Sequence, residues 1–225
     1  MHKHCIMITS FTEENYLKAI YHLSKDLNMA VNTNAIADSL NTKAASVTDM
    51  LRKLAEKDLI NYKKYQGVTL TEKGKSSALN IIRKHRLWEV FLVEKLKFNW
   101  DEVHDVAEEL EHIHSDLLIN RLDEFLEFPK IDPHGDPIPD KNGRFHVPDL
   151  KPVCKLGIGE KGIISGIRDH SSIFLKYLAE HKLTLGQQIE VLNIIEFDGS
   201  FILNIDNQKQ TVSRDVAKNL LIAYE

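Results

Sequence analysis

The sequence predicts a mainly α-helical chain with a β wing near its start and a β barrel at its C-terminal end. Three observations carry this prediction. All six prolines among the 225 residues lie between Pro129 and Pro152, so the stretch before them is free to form long helices. Apolar residues recur at helical spacing through that stretch. Beyond Pro152, glycines interrupt β-branched runs at 189–192 and 201–205, which is typical of short strands.

The proline map divides the chain into three predicted domains. Residues 1–74 read helix, helix, tight turn at 41–43, helix, then two short strands, which is the order of a winged helix-turn-helix. Residues 75–148 form a helical domain that ends in the proline-rich linker. Residues 149–225 form the β-rich domain, with one helix predicted from Ser171 to Glu180.

Composition sets the class of protein. Hydrophobic residues make up 43% and charged residues 28%, which excludes a disordered chain. No apolar run has the length of a membrane span, and the first 15 residues lack a secretory apolar segment, so we expect a cytoplasmic protein without a membrane partner. Cys5 and Cys154 form no framework and are predicted to be reduced thiols.

The third predicted helix, about 44–57, is the candidate recognition helix. Thr12 and Thr33 are the predicted N-caps of the two helices before it. Outward residues near the start of a recognition helix meet base edges and phosphates, and basic residues of the wing suit phosphate contact. The predicted DNA-binding residues are Lys43, Ala45, Ser46, Thr48, Asp49, Arg52 and Lys53 on the helix and Lys63, Lys64 and Tyr65 on the wing.

Charge supports a polyanion partner for the first domain. Residues 1–75 hold 11 Lys/Arg against 8 Asp/Glu, whereas residues 76–148 hold 9 against 15. A basic first third and an acidic middle third indicate one surface that faces an anion and one that faces a cation. A winged helix used only for protein contacts is the alternative.

The helix predicted at about 101–127 carries a candidate metal face. His104, Glu108, Glu111 and His112 fall on one side of it, away from the main apolar stripe. The preceding helix adds His85 and Glu89 at i, i+4 spacing. Imidazole and carboxylate are ligands of first-row divalent metals. An acidic, solvated helix with scattered histidines explains the same spacing, so both interpretations stay open on spacing alone. His114 falls inside the apolar stripe and is predicted to be a core histidine.

Five stretches together resemble the metal-dependent repressors of the DtxR/MntR family. They are 12–21 (TEENYLKAIY), 83–89 (RKHRLWE), 103–105 (VHD), 111–112 (EH) and 134–139 (HGDPIP). The resemblance covers essentially the whole chain. It implies that the second domain binds metal and dimerises, and that the C-terminal barrel is SH3-like.

The resemblance also implies two metal sites. By position in the chain, one set is Asn15, Glu108, Glu111 and His112. The other is His85, Glu89 and His104, with Asp169 of the barrel as a fourth ligand and His170 as the neighbour easily confused with it.

The implied metals are two ions per subunit, Mn²⁺ in preference to Fe²⁺. Glu108 is a hard carboxylate where iron-sensing members tend to have Cys, which favours manganese. Asn15 supports neither metal cleanly, since iron sensors usually have Met there and manganese sensors Asp. Lys18 stands where some manganese sensors have a second carboxylate, which argues against two closely spaced ions.

The predicted function is therefore a homodimeric, metal-activated transcriptional repressor that controls metal homeostasis. Two recognition helices related by a two-fold axis would read a palindromic double-stranded operator. Two alternatives come from other classes: a winged-helix regulator with a non-metal effector, and a di-metal carboxylate enzyme. The second is based on ExxH spacings at Glu109–His112 and Glu111–His114, both within one helix.

Overall fold

The computed structural model describes residues 9–24, 29–63 and 66–224. They form two compact units. Unit 1 holds the described residues up to His85, together with Leu110–Ser115 and Pro139–Arg144, and unit 2 holds the rest. The domain boundaries at 74 and 148 stay predictions, because the two units group short segments across them. None of the helices in the described ranges is long and apolar enough to span a membrane.

Unit 1 has the predicted winged-helix order. Its elements are α1 (Phe11–Leu23), α2 (Thr33–Ser39), α3 (Ala44–Glu56), β1 (Ile60–Lys63), β2 (Gly67–Leu70) and the first part of α4 (Glu72–Glu94). Strands β1 and β2 pair antiparallel, with Ile60 opposite Leu70.

The N-caps differ from those predicted. Ser10 caps α1, where its hydroxyl accepts from the Glu13 amide and the Glu13 carboxylate accepts from the Ser10 amide. Asn32 caps α2. Thr12 and Thr33 each lie inside the first turn of their helix, so the predicted N-cap was wrong for both α1 and α2.

The core of unit 1 fixes the direction of α3. Val47, Leu51 and Leu54 on its inner face are buried, and they pack with Leu17 and Ile20 of α1. This amphipathic pattern leaves the opposite face of α3 to solvent. The face turned to solvent carries the predicted DNA-binding residues.

The helix predicted at 101–127 is two helices, α5 (Val103–Leu110) and α6 (Asp116–Phe125). Residues 111–115 between them are not helical. Ser115 and Asp116 are residue types that favour a helix start, which fits the new beginning at α6. The interruption matters for the site because it places Glu111 and His112 in a turn rather than on a helix face.

The C-terminal part of unit 2 is a β domain, as predicted, but the strand pairing among the described residues leaves it open. The six strands are ordered β3-β8-β4-β5-β6-β7 and pair antiparallel, with β3 and β7 at the edges. The expected barrel closure is therefore absent from the described pairing. The strands and their helices are β3 (Lys151–Pro152), a 3₁₀ turn at Val153–Lys155, β4 (Lys161–Ile167), α7 (Ser172–Glu180), β5 (Gln188–Ile194), β6 (Phe201–Ile205), β7 (Gln208–Val212), α8 (Arg214–Asn219) and β8 (Leu220–Ala223).

A tight turn at 132–136, also in unit 2, is built against strand β4. The Ile167 amide donates to the His134 carbonyl at 3.2 Å. Gly135 has φ +89°, and a Cβ added there would lie 2.2 Å from the Ser165 carbonyl oxygen. Glycine is therefore required both by the left-handed backbone and by the close approach. The turn holds two of the side chains that matter below, Asp132 and His134.

Candidate metal centres and nucleic-acid surface

A buried cluster of charged side chains lies in unit 1 around Glu111, which is fully buried. The Lys18 ammonium donates to both carboxylate oxygens of Glu111, at 2.7 Å to Oε1 and 2.8 Å to Oε2. His85 Nδ1 lies 2.7 Å from Oε2. We call the set Glu14, Lys18, His85, Glu111 and His112 the Glu111 cluster.

The electrostatics of this cluster keep Glu111 charged. Burial alone would raise the pKa of Glu111, but the hydrogen bond from His85 and the charge of Lys18 outweigh it and hold the pKa below its usual value. A buried carboxylate without such partners would be costly. Glu111 is thus an ionised ligand candidate in the described structure.

Helix α1 reaches the same cluster through Glu14. His112 Nδ1 lies 2.5 Å from Glu14 Oε2, and His112 Nε2 lies 3.5 Å from Glu111 Oε1. Glu14 is buried and also accepts from the Thr9 hydroxyl at 2.9 Å. Sequence analysis missed Glu14, because the family resemblance implied the next residue, Asn15, as the ligand from this helix.

Asn15 has a side-chain oxygen that is buried and has no hydrogen-bond partner. Buried polar atoms are almost always satisfied, so an orphaned acceptor points to a missing cation or donor. His112 Nε2 is a second buried atom without a hydrogen-bond partner. Both atoms belong to residues predicted as ligands, and both lie in unit 1.

A second buried cluster lies in unit 2. One ligand atom from each of Glu89, Asp132 and His134 falls within 4.8 Å of the other two, and all three residues are buried. We call these three residues the Asp132 cluster. Sequence reasoning predicted Glu89 but missed Asp132 and His134. They stand at i, i+2 spacing in a loop, where helical periodicity gives no signal.

The imidazole of His134 is oriented by its second nitrogen. His134 Nε2 lies 2.8 Å from the Trp100 carbonyl oxygen and therefore donates to it. Nδ1 is then left to face Glu89 Oε1, 3.5 Å away. Metal-bound histidines typically use the other ring nitrogen in this way, which fixes the tautomer.

The Asp132 cluster holds protons as it stands. Burial raises the pKa of Asp132 to about 7, helped by the nearby charges of Glu89 and Asp136. Burial lowers the pKa of His134, but the bond to Glu89 and the charges of Glu89 and Asp132 outweigh it and raise the pKa to about 9. A cation bound here would displace those protons, since ligands bind metal in their deprotonated form.

Arg86 anchors the turn that presents Asp132. Its Nη2 donates to Asp136 Oδ2 at 2.9 Å, its Nη1 donates to the Pro137 carbonyl, and its Nε lies 3.4 Å from Asp132 Oδ2. The amides of His134 and Asp136 both donate to Asp132 Oδ1. The backbone of the turn and one guanidinium thus fix the Asp132 carboxylate.

The remaining predicted ligands are placed as follows. His104 Nδ1 lies 3.8 Å from Glu89 Oε1, and its Nε2 lies 3.5 Å from Glu108 Oε1. His85 precedes Glu89 by one turn of α4. His114 is exposed, so the expectation of a core histidine was wrong. Its place outside α5 explains this, because helical periodicity does not apply to a turn.

Asp169 and His170 of the β domain have different surroundings. Asp169 Oδ1 accepts from the Ser171 amide at 2.9 Å, next to the N-cap of α7. His170 Nε2 is buried and lies 3.8 Å from Asp136 Oδ2, and its ring is 5.5 Å from that of His134. Burial lowers the pKa of His170, which favours the neutral imidazole.

The donor chemistry of both clusters fits a divalent first-row metal. Each combines carboxylate oxygen with imidazole nitrogen, and each is buried and in part already arranged. The orphaned Asn15 oxygen and the proton-holding Asp132 cluster are the two observations that call for a cation.

The outer face of α3 presents the predicted DNA-binding residues. Lys43, Ala45, Ser46, Asp49, Arg52 and Lys53 are exposed, and Thr48 is half-buried. Thr48 uses its hydroxyl on the Ala44 carbonyl at 3.0 Å, and Arg52 pairs with Asp49 at 3.2 Å. On the wing, Lys63 is exposed, whereas Lys64 and Tyr65 lie outside the described residues.

Three family models match the chain. The model for the iron dependent repressor, N-terminal DNA binding domain, matches residues 8–68. The model for the iron dependent repressor, metal binding and dimerisation domain, matches residues 71–140. The FeoA domain model matches residues 151–224.

Relatives and solved structures point the same way. The iron-dependent repressor IdeR of Mycobacterium leprae is 33% identical over 211 residues, 94% of this chain and 87% of that protein. The transcriptional regulator MntR of Oceanobacillus iheyensis is 34% identical over 142 residues, 63% of this chain and 88% of that protein. A structure of a manganese-dependent transcriptional repressor in complex with manganese has a TM-score of 0.84 at 35% identity and covers 95% of this chain and 100% of that one.

Proposed function

Because the chain belongs to the DtxR/MntR family of metal-dependent transcriptional repressors, we propose that it represses genes of metal homeostasis as a Mn²⁺-activated homodimer. The family consists of repressors, so the alternative of a di-metal carboxylate enzyme is wrong. A regulator with a non-metal effector has no support from the family either.

One observation carries the proposal of metal activation. Helix α1, which shares the buried core of unit 1 with the recognition helix, also supplies Glu14 to the Glu111 cluster. The Glu111 cluster and the recognition helix therefore belong to one compact unit. A change in the cluster that moves α1 would also move α3, which gives the coupling between two sites that allosteric activation requires.

The residues proposed to hold the first ion are Glu111, His112 and Asn15, with Glu108 as the fourth. Glu14 is added to this set because its carboxylate already meets His112. The residues proposed for the second ion are Glu89, Asp132 and His134, with His104, His85 and Asp169 as further candidates. The metal would supply positive charge that joins these carboxylates and imidazoles.

Manganese is favoured by the ligand types. Both clusters are rich in carboxylate oxygen and contain no thiolate among the described residues proposed as ligands. Carboxylate suits Mn²⁺, whereas nitrogen- and sulfur-rich sites favour metals later in the series. One ion at each cluster gives the two ions per subunit.

Dimerisation is proposed through the exposed apolar face of α6. Leu117 is 68% exposed and Phe125 61%, and Phe128 just beyond the helix is 56% exposed. Large apolar side chains exposed together on one short helix mark an interaction surface. A second copy of the chain, related by a two-fold axis, would bring a second recognition helix to a palindromic operator.

The test is DNA binding with and without metal. A duplex selected from a random pool by the Mn²⁺-loaded protein would be titrated at fixed salt, with Mn²⁺, Fe²⁺, Co²⁺, Zn²⁺ or chelator. We expect metal to raise the affinity for DNA by about 5- to 150-fold. Titrations with Co²⁺ and Zn²⁺ are the controls that show whether Mn²⁺ activates selectively. Equal affinity in chelator would overturn metal activation. A palindromic consensus and a dimer in sedimentation would support the assembly, and a monomer on a single half-site would overturn it.

A further inference from the structure

We propose that the Lys18 ammonium is a built-in competitor of the metal for Glu111 and sets the metal concentration at which the Glu111 cluster fills. The inference rests on the proposed function, because it concerns the regulation of the same site. It starts from an ion pair between α1 and the turn at 111–115, two segments of unit 1 that lie 93 residues apart in the chain.

The geometry leaves little of Glu111 for a metal. Lys18 donates to both carboxylate oxygens, and His85 takes a further position on Oε2. A carboxylate offers about four lone-pair positions in all. Three of them are engaged in the described structure, which leaves one position on Oε1 beside the ammonium. A cation that binds both oxygens of Glu111 must therefore displace Lys18.

Charge repulsion between the ammonium and a divalent ion adds to the competition for lone pairs. Glu111 is fully buried and the Lys18 side chain is only 14% exposed. Water therefore screens little of the repulsion between the ammonium and an arriving divalent ion. The same burial explains why Lys18 is needed without metal, since an unpaired buried carboxylate is strongly unfavourable.

A lysine side chain is well suited to release Glu111 when a metal ion arrives. Its ammonium is a compact point charge on a flexible four-carbon stem, so the head can withdraw while the helix stays formed. Lys18 lies one helical turn beyond Glu14 on α1, on the same side. Release of Glu111 by Lys18 and capture of an ion by Glu14 and His112 would thus act on one face of one helix.

The experiment measures Mn²⁺ binding by calorimetry in the full-length protein without DNA. Lys18→Met removes the charge and keeps the length of the side chain, and Lys18→Arg keeps the charge. Each is measured in the wild-type background with a two-site fit and in a His134→Ala background, where the ion of the Asp132 cluster is removed. We expect Lys18→Met to bind Mn²⁺ at the Glu111 cluster at least 10-fold more tightly, and Lys18→Arg to stay within 3-fold of its parent.

Lys57→Met is the matched control. The Lys57 ammonium lies 2.6 Å from a carboxylate oxygen of the buried Glu13, which is on α1 like Lys18. Its loss removes a comparable ion pair from the same unit without touching Glu111, so the Mn²⁺ affinity should stay within 3-fold. If Lys18→Met does not fold without metal, Lys18→Gln keeps a donor without the charge and should show the same gain.

A second readout is thermal unfolding. Without metal, Lys18→Met should melt below the wild type, because Glu111 loses its counter-ion, and Mn²⁺ should raise its melting temperature by more than it raises that of the wild type. Unchanged or weaker Mn²⁺ binding by both Lys18→Met and Lys18→Gln, with wild-type binding intact, would overturn the role of Lys18 alone. Absence of Mn²⁺ binding in the wild type would overturn the proposed function as well.

Discussion

The Glu111 cluster and the Asp132 cluster use different cations to neutralise their buried carboxylates. In the Glu111 cluster one ammonium, from Lys18, holds both oxygens of the central candidate ligand. In the Asp132 cluster a guanidinium, from Arg86, is spread over Asp132, Asp136 and a backbone carbonyl. The first arrangement blocks the ligand that a metal would need, whereas the second braces the loop that carries it.

This difference suits two different tasks. Ligand atoms of the Asp132 cluster already lie within 4.8 Å of one another and are fixed by the backbone of a tight turn, so binding there requires little rearrangement. Binding of a metal by both oxygens of Glu111 requires Lys18 to withdraw. A site that must rearrange can pass a change to the helix that bears it, whereas a site with the same metal affinity in both conformations cannot. The rearranging site is the one in the DNA-binding unit.

The strongest way to break this comparison is His112→Ala. We expect it to abolish the activation of DNA binding by Mn²⁺, so that the whole gain of about 5- to 150-fold is lost, because the imidazole that meets both Glu14 and Glu111 is gone. Affinity for the second ion should persist. Calorimetry with Mn²⁺ and fluorescence anisotropy with DNA measure the two properties separately.

His114→Ala is the matched control for that variant. His114 is two residues away in the same turn and exposed, with Nδ1 3.7 Å from Glu14. It should stay activated by Mn²⁺ to nearly the wild-type degree. Full activation of His112→Ala, or equal loss in both variants, would mean that the coupling to DNA does not pass through His112.

Arg86→Met tests whether the guanidinium braces rather than competes. The side chain is 12% exposed and its loss leaves Asp132 and Asp136 without their counter-ion. We expect the free energy of unfolding to fall by about 3 kcal/mol without metal, and Mn²⁺ to restore part of it. Mn²⁺ affinity at the Asp132 cluster should not rise by the factor expected for Lys18→Met.

Urea unfolding with and without Mn²⁺ measures this effect. Arg86→Lys keeps the charge but loses the fork, and it should fall between the wild type and Arg86→Met. A gain in Mn²⁺ affinity at the Asp132 cluster in Arg86→Met, as large as that in Lys18→Met, would show that both cations compete and would remove the contrast between the clusters.

The parts of the fold and of the two clusters that could be predicted are those that depend on residue spacing within one helix. Helical periodicity predicted the winged helix, the inner face of α3, and Glu111 and His112 as ligand candidates. The family resemblance, which is confirmed, implied the same two candidates. Asp132 and His134 could not be found that way, because they lie in a turn whose shape depends on Gly135 and its contact with β4. The pairing of Lys18 with Glu111 joins residues 93 apart, which no local pattern encodes. Periodicity also predicted one continuous helix where the structure has α5 and α6, because residues 111–115 keep a helix-like apolar spacing without forming a helix.

A smaller effect should separate DNA contact from both clusters. Arg52→Ala removes an exposed charge on the outer face of α3 that pairs with Asp49 at 3.2 Å. We expect DNA affinity to fall by about 10-fold and the salt dependence to lose about one unit of slope, as for one phosphate contact. Mn²⁺ affinity at either cluster should stay unchanged, because Arg52 is a member of neither cluster.

Lys53→Ala offers a neighbouring comparison, since Lys53 is exposed on the same helix. Anisotropy titrations at four salt concentrations give both slopes. Loss of Mn²⁺ binding in either folded variant would mean that the outer face of α3 and the clusters are not separate.

The smallest effect is expected from Asp169→Ala, which asks whether the β domain contributes to the prearranged cluster. One oxygen of Asp169 already accepts from the Ser171 amide, so this hydrogen bond takes part of the carboxylate that a metal would use. We expect activation of DNA binding to survive and to require about 3-fold more Mn²⁺, well below the roughly 10- to 100-fold losses typical when a ligand's direct support is removed. His170→Ala is the companion variant, because the His170 ring lies 5.5 Å from that of His134 and its Nε2 lies 3.8 Å from Asp136 Oδ2. A Mn²⁺ titration of DNA binding for both variants decides between them. If Asp169→Ala is as inactive as His112→Ala, the β domain belongs to the coupling site and the division between a rearranging and a prearranged cluster fails.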